Sequence, residues 1–183
     1  MLFNLFGKTK EETPGRIFID KVYISTEAKM NACLHQIKVQ PNTLFIAWFV
    51  ETAATFKAFF AQHDADDSCI IEARTLHAAK LINRTPFFLE HYPLHEKELA
   101  LVTTWPEQKI TVFSALDEPL FKHFGSDKMI PLIKMMGMKE DEAIEHALVT
   151  QSVIKGQQKI ASQVIVEHTA KSQGEWMERN LKP

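Results

Sequence analysis

The densest run of chemically competent side chains is Glu90-His91-Tyr92-Pro93-Leu94-His95-Glu96, continued by Lys97 and Glu98. Two imidazoles with flanking carboxylates in one short segment are the residue types that hold a divalent metal or pair a general base with the acid that orients it. Pro93 lies between the histidines, so their spacing of four does not place them on one helical face, and a solvated loop is the competing reading. Glu51, Glu72 and Arg74 join Glu90, His91 and His95 as cleft candidates, because each follows an apolar run that reads as a strand. Asp64, Asp66 and Asp67 have the charge of a calcium loop without its glycine or terminal glutamate, and read as a hydrophilic turn. No catalytic residue, metal ligand or cofactor ligand is assigned. The chain lacks G-x-S-x-G. It has six glycines, with no G-x-G-x-x-G and no G-x-x-x-x-G-K-[ST]. Gly7-Lys8-Thr9 matches only the end of a phosphate loop, with Leu2 where its first glycine belongs. A backbone cradle for phosphates is therefore missing, and no cofactor is implied.

The elements that would position these side chains follow from hydrophobic periodicity. Arg16–Ile24 reads as a strand, and Ser25 or Thr26 can cap a helix through about Lys38. Thr43–Val50 (TLFIAWFV) is almost wholly apolar, as a strand covered on both faces must be, and is the best candidate for a central one. Ala53, Phe56, Phe59 and Phe60 form one stripe of a helix ending near His63. Cys69–Glu72 and Phe87–Glu90 read as shorter strands around a helix over Arg74–Ile82, and Lys109–Ser114 as the last strand. Strands alternating with helical crossovers predict an α/β fold: a three-layer, RecA/Rossmann-like, mostly parallel sheet with a C-terminal helical extension. Ligands in such sheets bind beyond the carboxyl ends of the strands, where the cleft candidates cluster.

Among 183 residues, 21 Lys+Arg face 23 Asp+Glu, a net charge of −2 that lacks the footprint of a nucleic-acid binder. No apolar run approaches the roughly 20 residues that span a bilayer. Two cysteines are too few for a disulfide framework and fit a reducing compartment, so a cytoplasmic location is expected. Met1-Leu-Phe-Asn-Leu-Phe6 lacks the features of a secretory signal; its apolar side chains could touch a membrane surface or a partner, at most a peripheral contact at the inner membrane. Residues 1–15 thus read as an amphipathic segment and linker, 16–116 as the α/β domain and 117–183 as the helical extension.

In that extension, Asp117-Glu118-Pro119 supplies a capping acid and a helix-starting proline. Met129, Met135, Met136 and Met138 cluster with Ile130, Leu132 and Ile133 and are expected as core filling, although an exposed methionine surface would suit varied peptides. Glu140-Asp141-Glu142 favours a helix N-terminus, from which the pattern runs helically toward Arg179. Val149, Val153, Ile160 and Val164 form one stripe, to bury against the body or to serve as a partner surface. Gly156 inside it predicts a kink or a close approach.

Phe113-Ser-Ala-Leu-Asp-Glu-Pro-Leu-Phe-Lys-His-Phe-Gly-Ser-Asp-Lys128, Met136-Gly-Met138, Glu142-Ala-Ile-Glu-His146, and Val149 with Gln157-Gln-Lys-Ile160 resemble the bacterial preprotein translocase ATPase SecA. The resemblance falls where that family's second motor domain passes into its long scaffold helix. It implies a RecA-like body and a place in protein export. The family's first motor domain has no counterpart, and its second-lobe glycine and arginine motifs should lie before Phe113, where Lys97–Lys109 holds neither residue type. Phosphoryl transfer is positioning and charge stabilisation, so these losses predict a degenerate, non-catalytic unit. The expectation is a protein-binding or regulatory domain, with the translocation machinery or a second copy as partner. A small-molecule or nucleotide-binding domain, or a minor enzyme using the strand-end cleft, is the alternative.

Overall fold

The computed structural model describes residues 17–105 and 109–181, so the Met1–Phe6 segment and its linker lie outside the described residues. Five parallel strands form one sheet in the order β1-β5-β4-β2-β3: β1 Ile17–Tyr23, β2 Thr43–Ala47, β3 Ile70–Glu72, β4 Thr85–Phe88 and β5 Lys109–Ala115. Registers run from Ile17 opposite Lys109 to Tyr23 opposite Ala115, with Thr43 opposite Thr85 and Phe45 opposite Ile70. The chain moves outward from β1 through β2 to β3 and returns through β4 to β5. Because crossovers are right-handed, that reversal puts the first two helices on one face and the next two on the other.

Helices α1 (Thr26–Val39) and α2 (Val50–Gln62) cover the first face with Cys33, Leu34, Ala53, Phe56 and Phe60, against Phe45, Phe87 and Phe113. Helices α3 (Ala78–Leu81) and α4 (His95–Val102) cover the second with Leu81, Leu99 and Val102, joined by Trp105, against Leu44, Ile46, Phe88, Ile110 and Val112. Adjacent strand residues thus feed opposite cores, as a two-residue side-chain period requires. Every residue of β2 is buried, which accounts for its apolar run, though β4 holds the middle of the sheet. The helix expected over Arg74–Ile82 is instead a 3₁₀ turn at Ala73–Thr75 followed by the short α3.

After β5 come α5 (Pro119–His123), α6 (Ile130–Met135), α7 (Ala147–Ala161) and α8 (Gln173–Asn180). The continuous helix toward Arg179 is absent. Glu140–Glu142 precede an antiparallel bridge between Ile144 and Val22, α7 begins only at Ala147 with His146 as its cap, and a non-helical segment separates α7 from α8. The Val149–Val164 stripe, read above as burying against the body or serving as a partner surface, turns inward. Val153 and Ile160 are buried, and Val149 and Val164 pack beside them against the clusters of Val22 and Trp176. Apolar area at the β1 edge and over the strand ends needs cover, and this stripe supplies it.

The methionine cluster departs from expectation in the opposite direction: Met129, Leu132, Met135 and Met136 are exposed, and only Ile130 and Ile133 face the body. At Gly156 the reason is close packing, since a Cβ there would lie 2.3 Å from Cζ of Phe124. Alanine gains about 1 kcal/mol of helix propensity but must displace that ring, an overpacking cost of about 1–3 kcal/mol. Gly156→Ala is expected to lower stability by about 1 kcal/mol in urea unfolding, and Phe124→Ala should remove the penalty in the double variant.

Candidate functional site

The carboxyl ends of the strands carry three polar constellations, each built from residues far apart in sequence. The first meets the helix N-termini, whose unpaired amides make ready anion sites. Ser25 caps α1 by accepting from the Ala28 amide at 3.2 Å. Asp117 reaches across from the end of β5, its Oδ2 accepting from the Thr26 amide at 3.0 Å and its Oδ1 from the Thr26 hydroxyl at 2.7 Å. At α2, Oε1 of Glu90 accepts from the amides of Trp48 and Phe49, both at 3.1 Å, and Oε2 accepts from the Thr52 hydroxyl at 2.8 Å. Beside them buried Lys29 pairs with Glu118 and donates to the Leu89 carbonyl at 2.7 Å. A cavity of about 300 Å³ lies among Lys29, Glu51, Glu90, Asp117 and Glu118.

Burial pushes the Glu90 carboxyl up to about 7, against the pull of Lys29 and the Thr52 hydrogen bond. A carboxyl raised on folding contributes fully below its unfolded value of about 4.3 and loses that contribution as pH rises through the folded value. Glu90→Gln keeps an acceptor for both amides and removes the titration. Relative to the wild type it should therefore gain stability between pH 5 and 8, on the order of 1 kcal/mol, as read from denaturant midpoints across that range.

The second constellation is an ion network. His91 lies buried between two carboxylates, its Nε2 against Asp20 of β1 and its Nδ1 2.8 Å from Glu98 Oε1 of α4. Glu98 also takes the Tyr92 amide at 2.8 Å, His95 Nδ1 at 3.1 Å and the Gln157 side-chain amide of α7 at 2.9 Å. Burial alone would lower the His91 pKa; Glu98 and Asp20 outweigh it and hold the imidazole well above its ordinary range. The same attraction overcomes burial at Asp20 and Glu98 and holds both carboxyls low.

The third is a cleft of about 980 Å³ beyond β2 and β3, walled by Trp48 and Tyr92 and edged by Glu72, Arg74, Lys97 and Arg179. Arg74 is paired with Glu72 at 2.5 Å, Arg179 with Glu175 at 2.7 Å and Lys97 with Glu167 at 3.2 Å.

The six sequence candidates are thus divided. Glu51 and Glu90 share the small cavity, Glu72 and Arg74 the aromatic cleft, and His91 and His95 the ion network. The readings weighed for the two histidines were a metal site or a general base with its orienting acid, and a solvated loop; the last does not describe buried His91. Among the described residues no group of His, Cys, Asp and Glu side chains could hold a metal ion. Asp66 instead caps its own turn through the Ser68 amide at 2.9 Å. Asp20 and Lys29 escaped the reading, while Glu98, Glu118 and Gln157 were named in it without a buried role; the one local signal is an acid or a lysine at an inward position of an apolar element.

The C-terminal helix covers these ends. Gln173 Oε1 accepts from the Leu120 amide at 2.8 Å, while its Nε2 donates to the His91 carbonyl at 2.9 Å. Trp176 is fully buried among Phe49, Leu120 and Ile160, and its indole N–H donates to Glu167 at 3.1 Å. Both His91 nitrogens and both Glu90 oxygens face partners within the chain. Among the described residues no helix is long and apolar enough to cross a membrane.

No family model matches the chain. Curated relatives match part of it. The protein translocase subunit SecA of Acidithiobacillus ferrooxidans is 48% identical over 50 residues, 27% of this chain and 6% of that protein. That of Ehrlichia canis is 44% identical over 50 residues, 27% and 6%. SecA 1 of Alkaliphilus metalliredigens is 38% identical over 48 residues, 26% and 5%. The matched stretch is thus a small fraction of each relative's length. This chain has a RecA/Rossmann-like parallel sheet and carries a segment similar to part of the translocase subunit SecA.

Proposed function

We propose that the chain is a non-catalytic, SecA-like domain that acts by binding protein, in connection with protein export or as a regulator of a motor ATPase. The observation that carries this reading is that Asp117 takes the first amide of α1 and Glu90 the two amides that lead into α2, both from the same chain. In an open parallel α/β sheet these are the positions where phosphates bind, and a buried carboxyl competes with a phosphate for the same amides. The α8 cover adds a steric obstacle over the same ends. The partner's chemistry follows from the SecA-like segment, which suggests the translocation machinery. Location in the cytoplasm, with peripheral contact at the inner membrane, belongs to the same reading. The test is interferometry of the full chain against purified SecA and the membrane-embedded translocon. Saturable binding at micromolar concentration is expected, and absence of binding to both overturns the link to export.

The aromatic cleft favours a second reading, a small-molecule site beyond β2 and β3. Trp48 and Tyr92 would stack a planar ligand, with Arg74 and Lys97 at the rim. Such a ligand should quench tryptophan fluorescence saturably, and Trp48→Phe should abolish the change.

A further inference from the structure

A cavity of about 510 Å³ opens between α1, the end of β1 and the chain at 140–141, and shares no lining residue with the two strand-end cavities. Ala28 and Ala32, four residues apart on one face of α1, leave the space, and Tyr23 and Phe113 complete an apolar floor. Tyr23 is 6% exposed, its ring stacked on Phe113 with centroids 6.1 Å apart. Its hydroxyl has no hydrogen-bond partner among the described residues, although the oxygen is not sealed in the core. A phenol buried this deeply ordinarily finds a partner, because leaving one unmatched is costly. Burial pushes the Tyr23 pKa up to about 12, so the hydroxyl keeps its proton and offers both a donor and an acceptor. We propose that this cavity binds a small organic cation of the alkylguanidinium class, held by the Tyr23 hydroxyl and the carboxylates of Glu27 and Asp141.

Charge selects a cation. The basic groups at the cavity are Lys21 and His35, the acidic ones Glu27, Glu140 and Asp141. Lys21 is paired with Glu145 at 3.2 Å and Glu140 with Lys134 at 3.4 Å. Glu27 and Asp141 have no such partner among the described residues, so two carboxylates at the cavity stand without a counter-charge. The spread of the acceptors selects a guanidinium. Its five N–H donors lie in a planar fork that reaches several acceptors at once, and it is more weakly hydrated than an ammonium, which favours a half-apolar site. The Asn31 side chain at the same opening supplies a further acceptor. An alkyl body covers the floor of Ala28, Ala32 and Phe113. A bare metal ion is a poor match, since among the described residues no group of His, Cys, Asp and Glu side chains could hold one. The proposal is independent of the export reading, and the failure of either leaves the other standing.

The experiment is a titration of the ¹⁵N-labelled full chain with agmatine, followed by amide chemical shifts, with 4-guanidinobutyrate as the probe of opposite tail charge. Saturable shifts are expected at Tyr23, along Glu27–Gln36 and at 140–141, with a dissociation constant below about 1 mM. 4-Guanidinobutyrate should bind more weakly, because its carboxylate meets the acidic rim. Glu27→Gln/Asp141→Asn should weaken agmatine binding by at least about tenfold, the scale of one lost charge-assisted hydrogen bond. Tyr23→Phe separates a binding role from a structural one: the hydroxyl holds nothing in the fold, so the melting temperature should stay at the wild-type value while affinity falls several-fold. Ala32→Leu, which fills the cavity, should abolish the shifts. Absence of saturable shifts at about 10 mM agmatine, shifts centred on other residues, or equal affinity in the double carboxylate variant overturns the proposal. A Tyr23→Phe protein that binds as tightly as the wild type likewise overturns it.

Discussion

Replacing His91 by alanine is expected to cost about 3–5 kcal/mol of folding stability, because it leaves Asp20 and Glu98 buried without their shared cation. Urea unfolding at pH 6 reads the loss directly. The pH dependence identifies its origin. His91 has a folded pKa well above its unfolded value of about 6.5, so its contribution is complete below that value and disappears as pH rises through the folded one. Asp20 and Glu98 are shifted down, so their contribution is complete above about pH 4 and disappears as pH falls through their folded values. Wild-type stability should therefore fall on the alkaline side, and His91→Gln should flatten that limb while remaining less stable throughout. Equal alkaline slopes in the two proteins would show that His91 is neutral in the fold. His95, on α4, and Thr150, on α7, also face this network, so Thr150→Val is the control that should leave the alkaline limb in place.

Removing the C-terminal cover should be more damaging still. Trp176→Ala deletes the largest fully buried side chain, with an expected loss of about 3–5 kcal/mol. Ending the chain at His146 should leave a body that does not fold. That truncation uncovers Val22 and Phe121, strips Gln157 from Glu98 and the Tyr92 carbonyl, and exposes Phe49 and Leu120 at the strand ends. Loss of near-ultraviolet dichroism and of dispersed amide resonances would confirm it. A truncated protein with native spectra would make the extension a separable unit, as the 117–183 division supposes.

What could be read in the sequence divides along the range of the interaction. The fold class was legible because strand and helix periods are local: TLFIAWFV and the Ala53–Phe60 stripe each declare an element, and their alternation declares a parallel sheet. The SecA-like segment was legible because its residues recur in order over about fifty positions, and curated SecA proteins match over a stretch of that length. The partition of the cleft was not legible. Glu90 and His91 are adjacent in sequence, yet one side chain runs to the α2 amides 41 positions away and the other to Asp20, 71 positions away. Neighbouring residues at a strand end point to opposite faces, so a sequence cluster becomes two sites. The break between α7 and α8 was missed because the stripe through Val164 was extended toward Arg179, while Ser172 and Asn180 close α8 through local hydrogen bonds that the stripe does not encode.

The exposed methionines mark a further limit. Composition alone cannot decide whether a short apolar helix is core or surface, because that depends on whether a second layer reaches it. Here the layer ends at Ile130 and Ile133.

Calorimetric titration of the full chain with millimolar ATP or ADP and Mg²⁺ bears most directly on the idea that its own carboxyl groups have replaced a phosphate site. A titration with no saturable heat is predicted, unchanged in Glu51→Gln. Saturable nucleotide binding by the wild type that survives Trp48→Phe, and so does not lie in the aromatic cleft, would contradict it.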